Sequence, residues 1–216
     1  MSGDLGSTWL DRLVHDLRGP LGPLQTAVYL LRRDDLDPQK RVELMEILDR
    51  QTRRLGRMLD ELDEWTRTPR QPSPGPGERC DLALILDYAL ASAGIAGTPV
   101  ESGSALIEVQ GDQQRLTQLL RSLLGFATGD GGTPRIILSR AARGAQVDVC
   151  LAGPAPGSEI LSTLFEHPQA APYDEGLGLR MMLARVIARA HGGELAALVE
   201  DGSLVLRLEL PLASAA

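Results

Sequence analysis

The stretch LVHDLRGPLGPLQ, residues 13–25, sets a histidine directly before an aspartate. An imidazole can act as a nucleophile near neutral pH, and an adjacent carboxylate can fix its tautomer and raise its basicity. Between Thr8 and Arg33 the apolar residues Leu10, Leu13, Leu17, Leu21, Leu24, Val28 and Leu31 recur at spacings of three and four, the signature of an amphipathic helix. At about 100° per residue these seven cluster on one face, and His15 falls about 160° from their mean direction. His15 therefore faces solvent, and Asp16 lies at the side of the same helix, within reach of the ring. Pro20 removes a backbone donor five residues after His15, so a bend or bulge is predicted at the turn that presents the imidazole, with Pro23 a second defect. A solvated histidine on a kinked helix satisfies these facts too.

The elements that must position this pair form a helical hairpin. RRDDLDPQK supplies a turn, with Asp37 as N-cap and Pro38 at the first helical position. A second seam, Met45, Leu48, Thr52, Leu55, Leu59 and Leu62, then runs through a helix ending near Arg67. A lone hairpin leaves much of each stripe wet, and dimerisation into a four-helix bundle is the usual remedy. Residues 1–67 thus form one unit, and the Pro- and Gly-rich TPRQPSPGPGER, residues 68–79, reads as a linker.

From residue 80 to 216 the pattern is mixed. DLALILDYALASAG, DQQRLTQLLRSLLGFAT with Asp112 as its cap, and GLGLRMMLARVIARAHGG read as helices. ALIEVQGD, PRIILSR and AQVDVCLAG read as strands, and GELAALVEDGSLVLRLELP as a hairpin turning at Asp201-Gly202. The predicted class is α+β: a dimeric four-helix bundle followed by an α/β sandwich with helices on one face of a mixed sheet.

Composition narrows the function. The 216 residues are 43% hydrophobic and 24% charged, which is ordinary for a globular chain. A net charge of −7 and only 3% aromatic residues argue against a nucleic-acid binder, which needs phosphate neutralisation and stacking surfaces. Cys80 and Cys150 have no metal-ligand spacing, and the chain shows neither a signal peptide nor a run of 18 apolar residues. A cytoplasmic protein without direct membrane contact is expected.

HDLRGPLGPL resembles the phosphoacceptor box of bacterial two-component histidine kinases, in which a His-Asp pair and a proline lie on the first helix of a dimerising hairpin. LFEHPQ resembles the segment leading into the ATP lid of that family, and EGLGLRMMLARVIARAHGGEL its glycine box, following helix and closing HGG. The likeness runs over residues 8–212. It implies phosphorylation of His15 with Asp16 as helper, a homodimer, an ATPase-type second domain, and a response-regulator receiver domain as partner. It also exposes departures. Where the family carries two asparagines, the second holding magnesium, this chain has Ser122 and Phe126, and where the family's adenine-reading aspartate stands this chain has Leu151. A phenylalanine cannot ligate a hard cation. The amides around Gly176 and Gly178 could still attract a phosphate at a helix N-terminus.

No cofactor of its own is therefore expected: tight ATP binding is not, and magnesium would come with the receiver domain. The reading chosen is a histidine phosphotransferase that shuttles phosphoryl groups between receiver aspartates through His15. The alternatives are a divergent ATP-dependent sensor kinase core and a non-catalytic dimeric scaffold. Gly19, four residues after the histidine, lacks the water-positioning side chain found there in relatives with phosphatase activity. Arg18, with Arg50, Arg53, Arg54 and Arg57 on the second helix, is a candidate docking strip for an acidic receiver surface. An exposed face of mutual ion pairs would read the same way.

Overall fold

A computed structural model describes residues 13–67, 78–103, 106–129, 131–141, 144–155, 157–169 and 176–213. The hairpin comprises a helical stretch over residues 13–18 (α1), α2 (Leu21–Leu31) and α3 (Pro38–Arg67). The predicted break is a turn at Gly19-Pro20. The Gly19 amide donates to the carbonyls of both His15 and Asp16 at 3.2 Å, and the helix restarts with Leu24 bonding Pro20. Asp37 caps α3 as expected, its Oδ1 accepting from the Gln39 amide at 2.7 Å. Leu10 lies outside the described residues.

The seam of α3 needs correction. The covered positions include Leu44, Ile47, Leu48, Gln51, Leu55, Met58, Glu61, Leu62 and Trp65, whereas Met45, Thr52 and Leu59 face outward. Met45 is 55% and Leu59 56% exposed. One face packs within the chain, and an apolar face beside it is left over.

The second domain begins earlier than residue 80, because β1 (Glu78–Asp81) pairs antiparallel with β3 (Glu108–Gly111). Between them lie α4 (Leu82–Ser92), capped by Asp81, and β2 (Val100–Ser102). Then follow α5 (Gln113–Thr128), β4 (Arg135–Ala141), β5 (Gly144–Cys150), α6 (Ser158–Thr163), α7 (Arg180–Ala190), β6 (Glu194–Glu200) and β7 (Ser203–Leu210). Asp112 caps α5 through the Gln114 and Arg115 amides. The five-stranded sheet has the order β2-β4-β5-β7-β6, with β2 parallel to β4 and the other pairs antiparallel.

Register aligns the inward side chains. Ile136, Val149, Leu206 and Ala197 form one cross-strand row, and Leu138, Val147, Leu208 and Leu195 the next. Leu116, Leu119, Leu120, Leu123 and Leu124 of α5 pack on this side with Ile85 and Leu86 of α4 and Met181, Ala184 and Ile187 of α7. This is the predicted sandwich. On the opposite side Arg207 clamps the buried Asp148 with two bonds of 2.8 Å.

His191 ties α7 to α5. Its Nε2 accepts from the Asp112 amide at 3.1 Å, so Nδ1 carries the proton and donates to the Ile187 carbonyl at 2.8 Å. The histidine of the HGG is thus a structural strut, and any larger residue at Gly111 would strike its ring.

Candidate functional site

On α1, the side that carries Leu13 and Leu17 packs against a cluster built from Met58 of α3 with Leu177, Leu179 and Leu183 at the start of α7. The opposite side carries His15, whose side chain is 87% exposed. Its Nδ1 lies 3.2 Å from Oδ1 of Asp16. A carboxylate can only accept, so this contact holds the proton on Nδ1 and leaves the Nε2 lone pair pointing outward. Double use of the Gly19 amide, together with the missing donor at Pro20, ends α1 one turn after the histidine. The outcome is an oriented nucleophile at the hairpin surface, open to a macromolecular partner.

The glycine-rich segment before α7 is differently engaged. Gly178 has φ +73°, and a Cβ there would meet the Gln169 backbone at 2.0 Å, so only glycine fits. The Gln169 amide donates to the Gly178 carbonyl at 2.9 Å. The amides of Leu177 and Leu179 point at Oε2 of Glu61 on α3, at 2.9 and 3.2 Å, with Arg180 Nε 3.4 Å from Oε1. Glu61 is 4% exposed. Gly176 and Gly178 flank the turn expected to attract an anion, and the anion this turn holds is a carboxylate of the chain itself. In the sequence Glu61 stands within the acidic run Asp60, Glu61, Asp63 and Glu64, a pattern that suggests an exposed face. The usable signal was its spacing of three from Met58 and four from Trp65, which puts it on the covered stripe.

The space where the family would hold a nucleotide is lined by Ser122, Gly125 and Phe126 of α5 with Gln169, Gly178, Arg180 and Met181, and encloses about 20 Å³. That is room for about one water, against the hundreds of Å³ that a nucleotide-sized ligand needs. The Ser122 hydroxyl is turned back onto the Gln118 carbonyl at 3.0 Å, and Leu151 packs against the main core. Among the described side chains that line it, Phe126 and Met181 offer no oxygen ligand to a hard cation. No group of three or more His, Cys, Asp or Glu suited to a metal occurs among the described residues.

The arginine strip is not one free surface. Arg18 and Arg50 are exposed, and Arg53 is exposed but ion-paired with Asp49 one turn earlier. Arg54 and Arg57 are half-buried. The shifted packing face of α3 is the cause, since it draws in Arg54 beside Leu55 and Met58. Arg18, next to the histidine turn, remains the arginine best placed for a partner at His15.

Residues 7–69 match the His Kinase A (phospho-acceptor) domain. The hairpin is therefore a phosphoacceptor domain of the histidine kinase type, and the chain is similar over most of its length to sensor histidine kinases. It is 26% identical over 204 residues to the sensor protein ChvG of Rhizobium meliloti, covering 85% of this chain and 35% of that one. It is 30% identical over 205 residues to the sensor histidine kinase GtrS of Pseudomonas aeruginosa, covering 91% and 40%. With the sensor protein SphS of Synechococcus elongatus it shares 28% identity over 225 residues, covering 94% and 54%. The chain thus spans about a third to a half of the length of these relatives. The fold resembles that of the Acinetobacter baumannii histidine kinase AdeS, with a TM-score of 0.69, 17% identity and coverage of 93% and 98%. The phosphoacceptor hairpin and the α/β domain after it thus have the arrangement and fold of a histidine kinase core. Among the described residues no helix is long and apolar enough to cross a membrane.

Proposed function

We propose that this histidine kinase core works through His15 as a phosphoacceptor and passes the phosphoryl group to or from the aspartate of a receiver domain, with the hairpin dimerising through its leftover apolar face. The observation that carries this reading is the exposed imidazole with Nδ1 held by Asp16. Nε2 attacks the phosphorus of an aspartyl phosphate. A P–N bond forms as the acyl P–O bond breaks, and the receiver's carboxylate leaves with the electron pair. The proton stays on Nδ1, donated to Asp16, whose carboxylate faces the positive charge that develops on the ring. Because the receiver brings its own magnesium, this route makes no demand on the 20 Å³ space beside Phe126.

A second reading, in which ATP supplies the phosphoryl group, is favoured by the relatives, which are named sensor proteins and sensor histidine kinases. They support a kinase core better than the freestanding phosphotransferase expected from the sequence. Supplying the two donors separately distinguishes the routes. Acid-labile label from a phosphorylated receiver domain supports the relay, and label from Mg-ATP supports the kinase reading. His15→Gln must abolish both, and label from neither donor would overturn the assignment of His15.

A further inference from the structure

We infer that Glu61 is an internal anionic clasp that locks the second domain onto the hairpin by occupying the Leu177 and Leu179 amides in the turn that leads into α7. The inference concerns how the two domains are held, and it stands whichever donor serves His15. Glu61 sits on the packing stripe of a helix that otherwise offers Met58, Leu62 and Trp65 at this contact. A carboxylate with 4% exposure loses its hydration and must recover it from protein donors. Two backbone donors do so, the Leu177 and Leu179 amides at 2.9 and 3.2 Å from Oε2, while Arg180 Nε lies in ion-pair range of Oε1 at 3.4 Å. Both amides lie at the entry to α7, Leu179 as its N-cap and Leu177 two residues earlier, where the helix dipole also favours a negative charge. Gly178 holds the geometry, since its φ of +73° turns the chain so that both flanking amides converge on one oxygen.

The contact fixes more than itself. The apolar cluster around it joins Leu13 and Leu17 of α1 to Leu177, Leu179 and Leu183, so the clasp pins the second domain to the side of α1 opposite His15. In this pose the acceptor turn is left to solvent. Releasing the clasp uncovers an apolar face on each domain and removes the counter-charge of Arg180. The cluster alone gives no directional reason for this pose, whereas a buried carboxylate meeting two amides does, so the charge sets where the domain docks.

Trp65, one turn after Glu61, reports the docked state. With Trp9 replaced by phenylalanine it is the only tryptophan left of the two in the chain. In that background, Glu61→Ala should shift Trp65 emission to the red and increase its quenching by acrylamide. Hydrogen exchange at the Leu177 and Leu179 amides should accelerate about tenfold or more, the scale of a lost charge-assisted bond. Exchange in β4 and β5 should stay unchanged. Glu61→Gln keeps the volume and one acceptor oxygen, and should give the same changes at smaller amplitude. This variant decides the matter if the alanine one fails to fold. Unchanged Trp65 emission and unchanged exchange at both amides in Glu61→Gln would overturn the clasp and leave the apolar cluster as the whole of the docking. Neither readout involves phosphorylation, so loss of the His15 assignment would leave this result standing.

Discussion

Replacing Asp16 with asparagine keeps the shape of the pair and the acceptor for Nδ1–H but removes the charge that faces the imidazole. As Nε2 takes a phosphoryl group the ring becomes cationic, and it then lies beside a carboxylate whose oxygen is 3.2 Å from Nδ1. Two unit charges about 4 Å apart interact by about 1 kcal/mol in water and about 4 kcal/mol near a protein surface. Side-chain exposures of 87% for His15 and 36% for Asp16 keep the pair close to the wet limit. The charge is thus worth about 1–2 kcal/mol in the transition state, or about 5–30-fold in rate. Proton abstraction by Asp16 would be worth more, about 10²–10⁴-fold. The assay is single-turnover formation of acid-labile phosphate on Asp16→Asn and parent proteins, each with the same donor. A change smaller than about twofold would show that Asp16 does not act on the ring. A loss beyond about a thousandfold would show that it does more than stabilise charge. Either result refutes the electrostatic argument.

Glutamate at both Met45 and Leu59 should convert a dimer to monomer in light scattering, because these side chains are 55% and 56% exposed on the face that the second domain does not cover; a monomeric parent would refute the dimer. Arg207→Ala should cost about 3–5 kcal/mol by leaving the Asp148 carboxylate buried without its counter-ion, a fall of about 10 °C in Tm by calorimetry. Replacing Asp148 and Arg207 together with leucine should recover most of that loss, and a double variant as unstable as the single one would contradict the account. The Glu101 carboxyl, bonded by Arg135 at 2.6 and 2.7 Å, is held below the usual glutamate range. Its contribution to stability is present above that range and is lost as pH falls through the depressed value. NMR titration should show a low midpoint for Glu101 that moves up in Arg135→Ala.

Local signals were legible wherever one residue type has one physical consequence. Asp37-Pro38 starts α3 and Asp112 caps α5 because an acceptor is needed for free amides. The β6–β7 turn falls at Asp201-Gly202, whose φ values of +50° and +78° suit the primed hairpin turn that the pair predicted. The break at Gly19-Pro20 and the outward aim of His15 followed from proline chemistry and helical phase. Other features depended on tertiary contacts. The packing face of α3 is rotated from the Met45–Leu59 seam, because packing against α2 and, toward its C-terminal end, against the start of α7 decides which stripe is covered. β2, at three residues, has no periodicity to detect and exists through its parallel pairing with β4. Glu61 was hidden because its partners are backbone amides 116 and 118 residues away, which leave no mark in composition.

The central claim, that His15 Nε2 accepts and returns a phosphoryl group, is tested most directly by locating that group. The full chain is incubated with a phosphorylated receiver domain and separately with Mg-ATP, and the acid-labile product is digested at alkaline pH and mapped by mass spectrometry. The account predicts phosphate on His15, absent in His15→Gln, and its loss to an unphosphorylated receiver domain added afterwards. Phosphate mapped to another residue, or His15→Gln labelled as fully as the parent, would contradict it.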